Sequence, residues 1–458
     1  MDEVMILNKK NFLVIGTAKS GIAAARYLLD HGAYVTITDI EKREKLNKNI
    51  IELEKNKNLK GIFGIQPPLS ALEDIDGIVM SPGVPMDIPI IKTAKEQGIE
   101  VISEVELAYR FNNSKIIAIT GTNGKTTTTT LVGEIFKAAN IGSFVAGNIG
   151  VPMISQIENL DSKDWLIVEI SSFQLEGTVY FKPNISAILN ITPDHLYRHG
   201  TMDNYIQEKS KIFLNQTLED ITILNADDPI TSILGEKAKS NVVFFSRKTE
   251  LNQGVFVKGD SIFIKDKGDV IQVCSINDIK LLGEHNLENA LAAIAISYYG
   301  NVPMESMRSV LKEFKGVSHR IELVETIGGI DFINDSKGTN PEASIKAIEA
   351  MKKPIILIAG GLDKGNDFTE FIQSFNNKVR YLLLFGETAE IIEGTAKKHK
   401  FHNVKKVNNL DEAVKESFKL ANRGDVVLLS PACASWDMYK SFEERGEHFK
   451  TLVRDLRR

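Results

Sequence analysis

The residues most suggestive of chemistry form a glycine-containing loop between an apolar strand and a helix-length segment. Residues 115–120 (KIIAIT) predict the strand, and residues 121–124 (GTNG) predict the loop. Such a loop directs backbone N–H groups and the positive end of the helix dipole towards phosphate oxygens. Lys125 can reach the β- and γ-phosphates, and the Thr126 hydroxyl can bind Mg²⁺. The segment therefore predicts an ATP site, although Ile119 stands where the usual pattern begins with glycine.

A second glycine loop lies near the start of the chain, after an apolar run. Residues 16–21 read GTAKSG, and Asp39 follows the loop by 18 residues, as in dinucleotide-binding folds. Ala18 or Lys19 stands where a middle glycine lets a pyrophosphate approach the backbone, so NAD is a poor fit. The diphosphate of a nucleotide-sugar fits better, with Lys19 and Ser20 as donors. A structural loop in a Rossmann-like domain is the alternative.

Candidate metal ligands end two further apolar strands. Glu169 ends the run WLIVE, at the place where P-loop folds carry an acidic Mg²⁺ partner. A capping or solvated glutamate is equally compatible with that position. His195 ends the segment 190–195 (NITPDH) and is a second candidate ligand, although a lone histidine is more often a packed or surface residue.

Two polar segments follow strands in the last third of the chain. Residues 335–340 read DSKGTN, and residues 360–364 read GGLDK. Open parallel sheets bind ligands beyond the carboxyl ends of their strands. Both segments are therefore candidates for ligand binding, and a turn with a helix cap explains the same residue types.

The composition is that of an ordinary globular protein. The 458 residues are enough for about three domains. Since 55 Lys and Arg face 60 Asp and Glu, there is no basic field to bind nucleic acid or an anionic membrane. No apolar run approaches the ~20 residues of a membrane span, and the acidic N-terminus is unlike a signal peptide. Cys274 and Cys433 are too few for a disulfide framework. We expect a mature, cytoplasmic monomer.

The elements that must position these residues follow an α/β order. Short β-branched runs alternate with amphipathic, helix-length segments, which predicts parallel sheets covered by helices. Residues 254–275 instead alternate between turns and predict antiparallel hairpins. Four runs, IDFIND, PIILIAGG, RYLLLFG and DVVLLSP, predict the last sheet. We predict a Rossmann-like domain at 1–104, a central P-loop-type ATPase domain with a mostly parallel sheet and an added antiparallel part at 105–316, and a C-terminal Rossmann-like α/β domain at 317–458.

In their order and spacing, these motifs resemble the Mur ligases, ATP-dependent amide-forming enzymes of peptidoglycan precursor synthesis. The shared segments cover essentially the whole chain: TGTNGKTT at 120–127, GNIG at 147–150, EISSFQLE at 169–176, NITPDH at 190–195, GEHN at 283–286, HR at 319–320 and DSKGTN at 335–340. Within the family, 169–176 and SPACASWD at 430–437 resemble the members that add D-glutamate. The Asp-Asn-Pro-Arg motif of diaminopimelate-adding members is absent from the sequence.

The resemblance implies that ATP converts the carboxylate of UDP-N-acetylmuramoyl-L-alanine to an acyl phosphate, which the amine of D-glutamate attacks. The implied ATP-binding residues, shared between the second and third domains, are Gly121, Thr122, Asn123, Gly124, Lys125, Thr126, Thr127, Asn286, Asn289, Arg320 and Asp335. The implied UDP-substrate residues are Lys19, Ser20, Asp39, Ser81, Gly83, Asn148 and His195. The implied D-glutamate residues are Lys337, Thr339, Lys364, Ser435 and Phe442. The implied catalytic residues are Lys125, Glu169, His195 and Lys209, and the implied ligands of two Mg²⁺ ions are Thr126, Glu169, His195 and Lys209 as a carbamate.

Lys209 is predicted to face inward from a helix at about 204–213. Four apolar residues lie three or four positions from it: Tyr205, Ile206, Ile212 and Phe213. They share its helical face, whereas Gln207 and Lys211 lie on the other side. Burial favours the neutral amine, which is the form that adds CO₂ to give the carbamate. A lysine whose stem packs while its ammonium reaches solvent is the alternative.

Two other functions compete with an amide ligase of this family. A folylpolyglutamate synthetase shares the nucleotide domain and also adds a glutamate, but it leaves residues 1–104 without a task. A P-loop regulatory NTPase needs a switch region and a residue that positions water, and it does not need two further ligand-binding domains.

Overall fold

The computed structural model describes five stretches of the chain: 7–46, 49–148, 150–281, 283–363 and 365–457. The fold divides into two compact units, one ending at Phe314 and the other beginning at Lys315. Three mostly parallel sheets run through these units, and helices alternate with their strands. The predicted α/β class is therefore confirmed.

The first sheet contains five parallel strands in the order β3-β2-β1-β4-β5. Its strands are β1 (Asn11–Ile15), β2 (Tyr34–Asp39), β3 (Leu59–Phe63), β4 (Gly77–Met80) and β5 (Val101–Ser103). The accompanying α-helices are α1 (Lys19–Asp30), α2 (Asn49–Leu53) and α3 (Pro89–Glu96). Because neighbouring strands are parallel, the loops after β1, β2 and β4 meet at one edge of the sheet.

The central sheet contains nine strands in the order β14-β13-β12-β11-β10-β9-β6-β8-β7. The strands are β6 (Lys115–Thr120), β7 (Ser143–Gly147), β8 (Trp165–Glu169), β9 (Ile185–Ile188), β10 (Ile221–Asn225), β11 (Asn241–Ser246), β12 (Gly254–Lys258), β13 (Ser261–Asp266) and β14 (Asp269–Ser275). Strands β6 to β12 pair in parallel, and β12 to β14 pair antiparallel. The predicted antiparallel addition is therefore confirmed.

Helices cover both faces of the central strands. Helix α4 (Glu104–Phe111) packs against β4 and β5 of the first sheet. The α-helices of the central sheet are α5 (Lys125–Ala138), α6 (Ser172–Glu176), α7 (Leu196–His199), α8 (Met202–Leu214), α9 (Thr231–Leu234), α10 (Glu284–Tyr299) and α11 (Met304–Glu313). One face of β6 and β8 packs against α5 and α10, and the opposite face packs in a core that includes α8. Strands β8 and β9 are buried along their whole length, as expected for parallel strands covered on both sides.

The regions of the first and central sheets share a single hydrophobic core. Leu28 of α1, Phe111 of α4 and Tyr205 of α8 belong to the same buried cluster. Polar contacts cross the same boundary, because Glu104 Oε1 accepts a hydrogen bond from Ile154 N at 2.7 Å. These two regions therefore form one unit.

The second unit contains a six-stranded sheet in the order β15-β16-β20-β17-β18-β19, in which only β15 is antiparallel. Its strands are β15 (Glu322–Ile327), β16 (Ile330–Asn334), β17 (Ile355–Ala359), β18 (Val379–Leu384), β19 (Val404–Lys406) and β20 (Val426–Leu429). Its α-helices are α12 (Pro341–Ala350), α13 (Thr369–Gln373), α14 (Ala389–Lys398), α15 (Leu410–Leu420) and α16 (Phe442–Asp455). Buried clusters lie on both faces of this sheet. Within the described stretches of both units, helices long and apolar enough to span a bilayer are absent.

Candidate active site

The glycine-containing loop lies between β6 and α5, and its backbone is bonded to the segment after β9. Thr122 N donates to the Asn190 carbonyl at 2.9 Å, and Asn123 N donates to the Asn190 side-chain oxygen at 2.8 Å. Thr122 Oγ1 accepts from Thr192 N at 3.0 Å and lies 3.1 Å from the Tyr205 hydroxyl. Asn190 therefore holds the loop in shape, a role that its place in the NITPDH motif does not reveal.

Gly124 ends the loop in a backbone conformation that favours glycine. Its φ is 85°, and a Cβ there would lie 2.1 Å from Asn289 Oδ1. Asn289 Nδ2 in turn donates to Asn286 Oδ1 at 3.1 Å. The structure thus places these two predicted ATP residues of α10 beside the loop. Thr126 and Thr127 are buried in the first turn of α5.

Two lysines donate to carbonyl oxygens at this loop. Lys125 Nζ lies 2.8 Å from Gly121 O and 2.9 Å from Thr122 O. Lys209 Nζ lies 2.9 Å from Gly121 O and 3.4 Å from Thr120 Oγ1. Both amino groups therefore approach the place where the sequence predicts phosphate.

Lys209 is only 1% exposed, so its predicted inward orientation is confirmed. Burial holds the pKa of the Lys209 ammonium well below its usual value; the charge of Lys125 lowers this pKa further, and Asp194 opposes the shift. Lys211, on the other side of α8, is half-buried rather than free in solvent. That side packs against α6, and Lys211 Nζ donates to the Glu176 carbonyl at 3.1 Å.

Glu169 is buried at the carboxyl end of β8, directly beside β6. It pairs with Ile119, the residue that precedes the end of β6 by one position. Its Oε1 accepts a hydrogen bond from Asn148 Nδ2 at 2.7 Å, while its Oε2 is buried and has no hydrogen-bond partner among the described residues. A buried carboxylate oxygen without a partner is costly, so this atom is suited to a cation or a donor on a ligand.

His195 lies at the start of α7 with a φ of 53°. Its backbone N–H donates to Asp194 Oδ1 at 2.9 Å, and its ring centre lies 4.9 Å from that of Phe173. The side chain is 41% exposed, so a ligand can reach it. Among the described residues, however, His, Cys, Asp and Glu side chains nowhere form a group of three or more suited to a metal.

An ion-pair network beside His195 was not assigned from the sequence. Arg198 donates to Glu176 through Nη2 at 2.6 Å and through Nε at 3.2 Å. His199 Nδ1 lies 3.5 Å from Glu176 Oε1, and His199 Nε2 lies 3.0 Å from Ser172 Oγ. Burial lowers the pKa of His199. Ser172 and Glu176 belong to the motif at 169–176, whereas Arg198 and His199 lie outside the motifs. The spacing of these residues does not indicate that they meet.

The first glycine loop is held by two of the residues predicted to bind the UDP-substrate. Asp39 Oδ2 accepts from Thr17 N at 2.8 Å and from Thr17 Oγ1 at 2.6 Å. Ser81 Oγ donates to the Gly16 carbonyl at 3.1 Å. Asp39 and Ser81 therefore form internal contacts that shape the loop.

The other predicted UDP-substrate residues of this domain occupy more open positions. Lys19 is exposed and Ser20 half-buried in the first turn of α1, whose N-terminus has no side-chain cap. A Cβ at Gly83 would meet nothing within 4 Å. Lys19 and Ser20 thus offer donors at an open helix N-terminus, which suits an anionic group.

In the second unit, Asp335 is buried beyond the end of β16. Its Oδ2 accepts from Ser430 Oγ at 2.7 Å, and its Oδ1 accepts from Ile321 N at 3.2 Å. Burial raises the pKa of Asp335 to about 7, against the effects of Ser430 and the charge of Arg320. Asp335 therefore joins the loops after β16 and β20.

Four of the predicted D-glutamate residues lie on three segments of this unit. Lys337 and Thr339 follow β16, the buried Ser435 follows β20, and Phe442 begins α16. Lys364 lies outside the described residues.

The buried guanidinium of Arg445 connects these segments. Its Nε donates to Ser336 Oγ at 3.0 Å, and its Nη2 donates to the carbonyls of Ser336 at 2.9 Å and Cys433 at 3.2 Å. Ser336 Oγ donates to the Phe442 carbonyl at 2.8 Å. Burial lowers the pKa of Arg445 to about 10. The sequence does not reveal the role of Arg445, because nothing in its spacing indicates a partner 109 residues away.

Three domain families match the chain in the order in which its sheets occur. The Mur ligase MurD-like N-terminal domain matches residues 10–103, the Mur ligase middle domain matches 119–297, and the Mur ligase glutamate ligase domain matches 319–433. The chain belongs to the Mur ligase family. Its three-domain α/β architecture is the one that the sequence predicts.

Two relatives resemble the chain over nearly its full length. The UDP-N-acetylmuramoylalanine–D-glutamate ligase of Alkaliphilus oremlandii is 51% identical, and that of Clostridioides difficile is 48% identical. Each match covers 99% of this chain and 100% of the relative. The fold is similar to a UDP-N-acetylmuramate-alanine ligase from Thermotoga maritima, with a TM-score of 0.57 and 20% identity over 98% of this chain and 99% of that one. It is also similar to MurF ligase from Thermotoga maritima in complex with ADP, with a TM-score of 0.55 and 16% identity over all of both chains.

These matches bear on the two competing functions. A folylpolyglutamate synthetase does not account for the first sheet. A P-loop regulatory NTPase accounts for neither the first sheet nor the third. Both sheets belong to Mur ligase domains here, so neither alternative accounts for the whole chain.

Proposed function

We propose that this protein is an ATP-dependent ligase that joins D-glutamate to UDP-N-acetylmuramoyl-L-alanine in peptidoglycan precursor synthesis. The observation that carries the proposal is 48–51% identity, end to end, to relatives named as D-glutamate ligases. The reaction forms an acyl phosphate from the alanyl carboxylate and the γ-phosphate, and ADP leaves. The amine nitrogen then forms the amide bond and loses a proton while the bond from carbon to the phosphate oxygen breaks.

In this proposal the loop at 121–124 and the first turn of α5 bind the phosphates of ATP. Lys125 now donates to loop carbonyls, and its ammonium turns from them to the γ-phosphate. Asn286 and Asn289 lie beside the loop and contact the nucleoside. We also assign Arg320 and Asp335 of the second unit to the nucleotide.

Two Mg²⁺ ions fit the donors around this loop. One ion suits the Thr126 hydroxyl and Glu169 Oε2, which is buried without a partner in the described part of the chain. His195 and a carbamate on Lys209 suit the other, since a carbamate supplies an anionic oxygen, the ligand type that Mg²⁺ prefers. When bound, the ions supply positive charge that reduces repulsion between the carboxylate and the phosphates.

The amino-acid acceptor is assigned to the second unit. Lys337 and Lys364 offer cations for two carboxylates, and Thr339 and Ser435 offer hydroxyl donors. We assign Phe442, whose carbonyl accepts from Ser336 Oγ, to the same site. The UDP part is assigned to the first domain, where Lys19 and Ser20 offer the open donors, with Asn148 nearer the reacting end.

Phosphate release from ATP tests this function. The assay contains UDP-N-acetylmuramoyl-L-alanine and, in turn, D-glutamate, L-glutamate, L-lysine or diaminopimelate. We expect phosphate release only when the added amino acid is D-glutamate. Release with another amino acid, or without an acceptor, would contradict the proposal.

We further propose that the protein acts as a cytoplasmic monomer. The proposal is supported by substrates that are cytoplasmic metabolites and by domains that carry all the assigned residues on one chain. Light scattering under the assay conditions measures the molar mass of the active protein. A stable dimer would contradict the proposed monomer.

A further inference from the structure

Arg198 connects the first and central domains of the larger unit. Its Nη2 donates to the carbonyl of Val84 at 2.7 Å. Val84 closes the turn 81–84 after β4, because its N–H donates to the Ser81 carbonyl at 3.0 Å. The Arg198 side chain is 12% exposed, so this hydrogen bond is largely shielded from water. A central-domain side chain therefore fixes a turn of the first domain.

The other contacts of Arg198 lead towards His195. Glu176 binds the guanidinium through both carboxylate oxygens. The guanidinium carbon lies 5.1 Å from the centre of the Phe173 ring, and that ring lies 4.9 Å from the ring of His195. Only a planar fork of several N–H donors can bind the carboxylate and the carbonyl together, so lysine is an incomplete substitute.

The positions of these contacts matter because the proposed substrate is long. Its UDP end is assigned to the first domain, which includes Ser81 and Gly83 of the turn 81–84, and its reacting carboxylate is assigned near His195. A small error in the separation of the two binding places misaligns the carboxylate with the phosphate it must attack.

We infer that Arg198 is a positioning residue, which holds the turn 81–84 at a fixed separation from His195 so that a substrate bound by its UDP end presents its carboxylate correctly. The inference rests on the proposed function. Arg198 acts through Val84, Phe173 and Glu176, and it is distinct from the residues assigned to ATP and D-glutamate.

Steady-state kinetics of Arg198→Met, Arg198→Lys and Glu176→Gln test the inference. We expect Arg198→Met to raise the KM for UDP-N-acetylmuramoyl-L-alanine about tenfold, because a substrate bound at both ends binds less well when its two binding places move. The KM for ATP should change less than about twofold. Arg198→Lys should fall between Arg198→Met and the wild type. Glu176→Gln keeps the side-chain shape and should change the same KM in the same direction. A purely structural role would not separate the two substrates.

Arg110→Met is the matched control. Arg110 also binds a carboxylate through two nitrogens, Glu100 at 2.7 and 2.6 Å, and lies 5.2 Å from the ring of Tyr180. We expect its KM values to match the wild type. The inference would be overturned if the Arg198→Met and Arg110→Met enzymes had the same KM values. It would also be overturned if Arg198→Met raised the KM for ATP as much as the KM for UDP-N-acetylmuramoyl-L-alanine. In either case an active wild type would still support the proposed function. A wild type that is inactive with D-glutamate would reject the proposed function and the inference together.

Discussion

Lys209 presents an amine whose burial opposes its charge. Replacing it by alanine, or by the better-filling methionine, removes the proposed carbamate. We expect the ligation rate to fall about a hundredfold or more, as when a group that stabilises transition-state charge is lost. Binding of UDP-N-acetylmuramoyl-L-alanine, measured by calorimetry, should persist. The wild-type rate should also fall in CO₂-depleted buffer and recover with bicarbonate.

Lys163→Ala is the control for this prediction, because Lys163 is exposed in a turn. Lys211 is a less suitable control, since it donates to the Glu176 carbonyl. Similar, mild effects of replacing Lys209 and Lys163 would exclude the carbamate.

Glu104 predicts a pH dependence of stability. Burial raises the pKa of its carboxyl from 4.5 to about 7, and the N–H groups of Ile154 and Met153 oppose the shift. Because the folded state holds this proton more tightly than the unfolded state, the stabilisation is complete below pH 4.5 and is lost as pH rises through about 7. Glu104→Gln mimics the protonated acid. Its unfolding temperature should therefore rise by a few degrees relative to the wild type between pH 5 and pH 8.

Glu100→Gln provides a comparison, because the pKa of Glu100 is shifted in the opposite direction to that of Glu104. Its hydrogen bond with Arg110 lowers the pKa of the Glu100 carboxyl, so the charged form stabilises the fold as pH rises above its usual range. The same shift with pH in both variants would contradict the assignment to Glu104.

Residue types and periodicity predict some of the site but few of its contacts. The inward face of Lys209 follows from helical spacing within one element, and Glu169 follows from the end of an apolar strand. The pair of Arg198 and Glu176 joins residues 22 positions apart on different helices. Such pairs depend on how the elements pack, and the periodicity of residues within one element does not reveal this packing.

At the scale of elements, the junction of β6 and α5 depends on Gly124. Gly124→Ala must adopt a positive φ and also places a methyl group 2.1 Å from Asn289 Oδ1. We expect the loop to shift and the dissociation constant of an ATP analogue to rise about tenfold or more, as a phosphate-binding loop loses its geometry. Equilibrium titration with a fluorescent analogue measures this.

Gly268→Ala is the control for Gly124→Ala, because it introduces backbone strain without a steric clash. Gly268 has a φ of 94° in the turn between β13 and β14, and a Cβ there would meet nothing within 4 Å. Its replacement should cost about 1 kcal/mol of stability and leave nucleotide affinity unchanged. Equal loss of affinity in the two variants would show that the contact with Asn289 is unimportant.

The elements predicted from the sequence are mainly the apolar central strands. The runs IDFIND, PIILIAGG, RYLLLFG and DVVLLSP correspond to β16, β17, β18 and β20, which are largely buried. The edge strands β15 and β19 were not predicted. β19 has three residues, Val404–Lys406, two of them exposed lysines, and such a strand is defined by its pairing with β18 rather than by its own pattern.

At the scale of the whole molecule, three domains by sequence correspond to two units by packing. The first and central domains share one buried cluster, which joins Leu28 to Tyr205. The C-terminal domain buries separate clusters, which include Leu357. A shared core couples the unfolding of the domains that contribute to it, whereas separate cores permit separate transitions.

We therefore predict two calorimetric transitions rather than three, with the larger unit giving roughly twice the unfolding enthalpy of the smaller because enthalpy scales with residue number. Leu28→Ala leaves a cavity costing about 2–5 kcal/mol and should lower only the larger transition. Leu357→Ala, equally buried, should lower only the smaller one. An ATP analogue should raise the transition that Leu28→Ala lowers, since the loop at 121–124 belongs to that unit. A third transition, or a Leu28→Ala effect confined to part of the larger transition, would mean that the shared cluster does not couple the first domain to the central one.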